Sequence, residues 1–497
     1  MKRIFLLFIA GVCLDFSGLS VSLAQRENAT NASYRRALRI VENSFARMGG
    51  KSALAKVENI AFTLVGDLHA RNQSVRPDTP FDTFPIATKV VIDLKKERVS
   101  WEQRNGLPGG IFFANHIVGS KENNFNLNLE RKNYTPLPPN SPIVSLTTRL
   151  MPILFLQKAL EQKANLRWLG EAIVDGKTHN LVSLVWSGAN YTLYFDSTTN
   201  LLTKHETLVP DASVGDDWVE FFTTAYQNFD GLLLPTQYRQ MRSGKLVRES
   251  LYIRITFNQQ LDESLFKLPA NYPALANPPF AVKNLAKDVY LAEGLAGGGY
   301  RSLFVTLNDG ILVVDAPGNS QISMQVIREI KKAVPNKPIK HLVLTHFHDD
   351  HTGGIRPYIA EGAKILTTQR NRRFFEQMAK AEYTLAPDVF SSKPKNPDFM
   401  FIENQQTFSD GDHAVEIYNL NSPHAQDMYV VYLPKEKLLF QADLYNWATD
   451  ATNEATVDMV EKIEKLGWQV ETVIGSHSGS VPYQQIKDEV AAFRAKK

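Results

Sequence analysis

The chain has 497 residues, too many for one ordinary hydrophobic core, so two domains are expected. A 43% hydrophobic and 22% charged content excludes wholesale disorder. Lys and Arg number 55 against 52 Asp and Glu, leaving a net charge of +3 and no basic stripe, which excludes nucleic acid as a partner.

Met1-Lys2-Arg3 supplies a positive start, followed by an apolar run over Ile4 to Leu14. Ser22-Leu23-Ala24 then offers small side chains where a signal peptidase reads, so residues 1–24 read as a cleaved bacterial signal peptide and Gln25 as the mature start. The expected location is the periplasm or the extracellular medium, with no transmembrane anchor in the mature chain. The single cysteine, Cys13, lies in this segment, so the mature chain offers no thiolate ligand or nucleophile.

Residues 34–48 carry Ala37, Ile40, Val41 and Phe45 on one helical stripe, closed by Gly49-Gly50. Segments rich in β-branched and aromatic residues follow: 59–68, 87–101, 110–118, 181–186, 191–195, 218–226 and 251–257. Turn signals at Asp175-Gly176, Asp230-Gly231 and Ser243-Gly244 separate several of them, and a helical insertion around 143–166 interrupts the series. Residues 25–270 therefore read as an antiparallel, mostly β domain. Prolines between Leu268 and Pro279 mark a linker over 271–280. Beyond it, over 281–497, strands and helices alternate: a hairpin around Asn308-Asp309-Gly310, a helix over 321–334 and a strand over 341–345.

That last strand leads into His346-Phe347-His348-Asp349-Asp350-His351. Alternate residues of an extended chain share a face, so His346, His348 and Asp350 are expected to point together, with His351 turning in at the next helix. Imidazoles with a carboxylate suit zinc or another borderline divalent cation. A purely structural role would leave several buried polar groups unpaired. His424, Asp443 and His477 each follow an apolar strand, which places them at strand C-terminal ends, where open α/β sheets gather their sites.

In this order, with Asp315-Ala316-Pro317-Gly318 ahead of them, these motifs resemble the metallo-β-lactamase superfamily over about residues 280–495. The resemblance implies a four-layer αβ/βα sandwich, hence an α+β two-domain chain. It also implies His346, His348 and His424 on one metal, Asp350, His351 and His477 on a second, and Asp443 bridging them. Two zinc ions are expected, with iron or manganese as alternatives, and Asp315 is expected to orient a ligand imidazole. Asp350 and Asp315 are the catalytic candidates, and Tyr445 and Asn446 the substrate-binding candidates. Cysteine-containing β-lactamases carry Cys where this chain has Asp443, so the resemblance leans towards lactonases and related esterases. Pro423-His424-Ala425 also departs from the Gly-His-Thr of many members.

The expected activity is an exported metal-dependent hydrolase, in which a metal-bridging hydroxide cleaves an ester, lactone, thioester or amide-like bond. The alternatives are an iron-dependent oxidoreductase on the same scaffold and an apolar-ligand carrier with a vestigial metal site. Phe229-Asp230-Gly231-Leu232-Leu233-Leu234-Pro235, Tyr238 and the opening helix resemble lipoprotein-carrier-like half-barrels over roughly residues 30–270. A small-molecule substrate is therefore expected, apolar or acyl-containing ones among the candidates. The N-terminal domain is expected to hold substrate, cap the site or form a homodimer. The stretch Leu295 to Tyr300, with Gly297-Gly298-Gly299, reads equally as a flap over the site or a plain hairpin turn.

Overall fold

Asn28 caps the first helix, Ala29–Arg47, its side chain accepting from the Asn31 amide and adding a turn ahead of the stripe predicted from 34. Ala37, Val41 and Ser44 are its buried face. Gly49 closes it at φ 116, where a β-carbon would stand 2.6 Å from the Gly231 carbonyl, so only glycine fits. The computed structural model describes residues 28–139, 141–275, 278–392, 394–410, 413–445 and 452–496. The signal-peptide reading and Asn446 therefore fall outside the described residues.

After this helix the chain builds a 13-stranded antiparallel sheet, running from Asn133–Pro136 at one edge to Arg167–Val174 at the other. Asn59–His69 pairs with Thr83–Asp93 on one side and Lys245–Phe257 on the other, so early and late strands lie side by side. Ile60, Phe62 and Leu64 alternate into the core, where the first helix and the helices Ile143–Leu150 and Pro152–Glu161 pack on the sheet. The segment expected as one strand over 87–101 is a hairpin of Thr83–Asp93 and Arg98–Leu107. Its turn places Glu97 at φ 51 without a glycine, so the sequence carries no turn signal there. No single helix among the described residues is long and apolar enough to cross a membrane; a bent helix pair, Ile143–Leu150 with Pro152–Glu161, meets the length and composition test together.

The C-terminal half is an αβ/βα sandwich. A seven-stranded sheet from Ala281–Ala286 to Asp398–Phe401 faces a six-stranded sheet from Gln405–Asp410 to Gly479–Pro482. Leu303, Val305, Val314 and Val343 of the first sheet meet Ile417, Val431, Phe440 and Ile474 of the second in the layer between them. The helices Ser320–Ala333 and Ile355–Glu361 cover the outer face of the first sheet, and Glu454–Leu466 and Tyr483–Arg494 that of the second. Large apolar residues on both faces of these strands explain why four layers form instead of two.

The two halves touch along three loops of the N-terminal sheet. Val75 O accepts from the Gln426 amide at 2.9 Å, Tyr383 Oη donates to Ala212 O at 2.6 Å, and Gly109 packs against His424.

Candidate metal centre

The strand Ile339–Val343 ends before the polar segment, and the chain bends over Thr345, His346 and Phe347 ahead of His348. Asp349–Thr352 is a short helical turn, so the expected shared face of His346, His348 and Asp350 breaks at Asp349. The turn places Asp350 and His351 in a second ligand set beside that of the two preceding histidines, so one segment feeds two sets. His346, His348, His424 and Asp443 bring one donor atom each within 4.8 Å of one another, and so do Asp350, His351, Asp443 and His477. Asp443 belongs to both.

Asp443 Oδ2 lies 3.4 Å from His346 Nε2, 3.2 Å from His351 Nε2 and 3.0 Å from His424 Nε2, while Oδ1 lies 3.0 Å from His477 Nε2. Yet His346 Nε2, His348 Nδ1, His424 Nε2 and Asp443 Oδ1 are buried without a hydrogen-bond partner. Close approach without hydrogen-bond alignment is the geometry of donors aimed at a common centre, and orphaned buried donors of this kind demand a partner. The residues fit a pair of divalent cations.

In four of the five histidines, His346, His348, His351 and His424, the ring nitrogen away from the cluster is tied down. Thr345 Oγ1 donates to Asp315 Oδ2 at 3.0 Å and so accepts from His346 Nδ1 at 3.1 Å. Asp315 Oδ2 also accepts from His351 Nδ1 at 3.1 Å. His348 Nε2 donates to Ser74 O at 2.8 Å, and His424 Nδ1 to Pro108 O at 3.0 Å. For His346, His348 and His424 this leaves the lone pair on the nitrogen facing the cluster.

Burial holds His346 down to about 4, the neighbouring His351 adding to it, and holds His348 well below the ordinary imidazole range. Burial acts the same way on His351 and His477, but Asp443 and Asp350 outweigh it, lifting His351 well above that range and His477 to about 9. Burial raises both carboxyls, and the facing imidazoles more than offset it, so Asp350 and Asp443 stay ionised far into acid. At neutral pH His346 and His348 are thus ready to ligate, whereas His351 and His477 hold protons that a cation must displace.

Residues 296–445 match the family model for the metallo-beta-lactamase superfamily. This segment belongs to that superfamily. A curated relative, the type 2 metallo-beta-lactamase of Elizabethkingia meningoseptica, is 25% identical over 140 residues, 28% of this chain and 49% of that protein. The chain thus spans about half the length of that relative. Among solved structures, a metallo-beta-lactamase from Pontibacter korlensis aligns at 19% identity over 43% of this chain and 99% of its own, with TM-score 0.34. The DIM-1 metallo-beta-lactamase aligns at 17% identity over 44% of this chain and 99% of its own, also with TM-score 0.34. The matched segment contains six of the seven clustered residues; His477 lies beyond it and is placed by the fold alone.

Of the substrate-binding candidates in the metallo-beta-lactamase segment, Tyr445 turns away: it is buried in the core and its hydroxyl donates to Glu489 at 3.0 Å. Two residues near the cluster were not among the site candidates, although Tyr300 ends the stretch read as a flap or hairpin turn. Tyr300, at the end of the glycine turn, donates to Asp350 Oδ2 at 3.2 Å and lays its ring 4.4 Å from that of His477. Burial, reinforced by Asp350, raises its phenol far above the ordinary range, so it keeps its proton. Gln73 Nε2 donates to Asp349 Oδ1 at 2.8 Å and Asp350 Oδ1 at 2.9 Å. Tyr300 directly follows a glycine run, which was the available signal; Gln73 had none.

Proposed function

We propose that this protein is an exported, dinuclear zinc hydrolase that cleaves an ester, lactone, thioester or amide-like bond in a small molecule. The observation that carries the reading is Asp443, whose two carboxylate oxygens reach imidazoles of both ligand sets within 3.4 Å. A pair of cations held there polarises a substrate oxygen and lowers the pKa of water towards ~7.

The protein's own groups supply the rest. The His477 and Asp350 side chains are 14% and 26% exposed, whereas those of His346, His351, His424 and Asp443 are at most 6% exposed, so substrate arrives past Asp350 and His477, beneath Tyr300. Asp350 Oδ2 stands at that opening and is placed to take a proton and pass it to the leaving group. Tyr300 Oη donates its single proton to that carboxylate and holds it in place. Export rests on the leader-like residues 1–24 and the cysteine-free remainder.

The test is a hydrolysis screen of zinc-loaded protein over lactams, lactones, thioesters, phosphodiesters and sulfate esters, with an acyl-length series. Turnover of at least one carbonyl class, abolished in His348→Ala, is expected. No turnover of any class by protein carrying its metals would sink the hydrolase reading.

A further inference from the structure

Two of the three imidazoles in the first ligand set are held by the other half of the chain. Ser74 and Pro108 belong to loops between strands of the N-terminal sheet, 274 and 316 residues away from the histidines they bind. Both contacts run through a main-chain carbonyl, which can only accept. The proton is thereby forced onto His348 Nε2 and His424 Nδ1, leaving the lone pairs of His348 Nδ1 and His424 Nε2 aimed into the cluster. The loops that carry these carbonyls are themselves pinned. Ser74 Oγ donates to Ala70 O at 2.9 Å and accepts from the Asp82 amide at 2.8 Å. Gly109, next to Pro108, sits so close to His424 that a β-carbon there would lie 3.1 Å from the histidine's own Cβ.

We propose that the N-terminal sheet domain is a working part of the metal centre, its Ser74 and Pro108 carbonyls locking His348 and His424 in their ligating tautomers. Cation affinity at the first set then depends on the docked N-terminal half, and by reciprocity a bound cation tightens the docking. The carbonyls act as positioning groups, not catalytic ones. This inference rests on the two-metal reading of the cluster.

Two glycines give a matched test. Gly109 and Gly110 have φ of 82° and 76°, so alanine is strained equally at both. A β-carbon at Gly109 presses on His424, whereas one at Gly110 meets nothing nearer than 3.7 Å. Zinc affinities of the apoproteins are measured by competition with a chromophoric chelator, and cobalt(II) spectra report the ligand field. Gly109→Ala is expected to weaken one of two zinc sites at least tenfold relative to Gly110→Ala, the usual cost of disturbing such a partner. Its cobalt spectrum changes as well, while the other site keeps its affinity. A second measurement needs no variant: hydrogen exchange of the full chain is followed with and without zinc. Slower exchange at residues 70–76 and 106–111 on zinc binding is expected.

Equal zinc affinities in the two variants, or zinc protection confined to the C-terminal half, would overturn this inference and leave the hydrolase reading standing. A wild-type chain that binds no zinc would overturn both.

Discussion

Gln73 donates one side-chain amide to two adjacent carboxylates, Asp349 and Asp350, across more than half of the chain's length. Only Asp350 faces the ligand cluster. Asp349 is held back by the amide at 2.8 Å, and its carboxyl is pushed up to about 6, first by burial and then by the Asp350 charge.

The sign of that shift sets a stability test on metal-free protein. A carboxyl whose folded pKa lies above its unfolded value binds more protons when folded, so stability falls as pH rises from about 4 to about 6 and is then level. Asp349→Asn removes the charge and keeps an acceptor for Gln73. Urea titrations are expected to show the variant more stable than wild type by about 2–3 kcal/mol at pH 7, and no more stable at pH 4. An equal gain at both pH values would point to packing instead.

Asp315 sits at φ 64, a conformation asparagine also tolerates, so Asp315→Asn keeps the local backbone. An amide NH2 facing His351 Nδ1 reverses the tautomer and puts the proton on the Nε2 that faces Asp443. Zinc titration is expected to show about 10–100-fold weaker binding at one site, with the melting temperature of the apoprotein little changed. Unchanged affinity at both sites would remove Asp315 from the account.

Tyr300→Phe deletes the donor to Asp350 Oδ2 and leaves the ring against His477. With the substrate found in the screen, kcat/KM is expected to fall about tenfold while two zinc ions remain bound, since a hydrogen bond to a charged group contributes about 1.5 kcal/mol or more. A matching loss of zinc would reassign Tyr300 to metal retention.

The loop beyond the helix Arg372–Lys380 is anchored by Arg356, which donates to Asp388 at 2.8 and 3.0 Å between the rings of Tyr383 and Phe390. Their charged side chains are only 3% and 8% exposed. Arg356→Met strands a buried carboxylate, so unfolding is expected to become easier by about 3 kcal/mol. A change below about 0.5 kcal/mol, the scale of a surface pair, would contradict this.

The clustered positions were legible because they are side chains with few other uses: three histidines in six residues, and later His and Asp directly after apolar strands. The family resemblance grouped them in the two sets that the fold brings together around Asp443. Their partners were not legible, since Ser74 and Pro108 act through carbonyls that every residue possesses, and the contacts depend on how two sheets dock. The same limit hid the hairpin at Glu97 and the pairing of the first strand with Lys245–Phe257, because alternation marks a strand and says nothing about its neighbour. Tyr445 shows the converse: proximity to Asp443 in sequence suggested the site, and its hydroxyl went to Glu489 instead.

Metal content tests the central claim most directly. Inductively coupled plasma mass spectrometry on dialysed, zinc-saturated protein, with His348→Ala and His477→Ala alongside, counts ions per chain at both sets. Two zinc ions in the wild type and about one in each variant are predicted. A wild-type count of zero, or of one that neither substitution lowers, would contradict a two-cation centre bridged by Asp443.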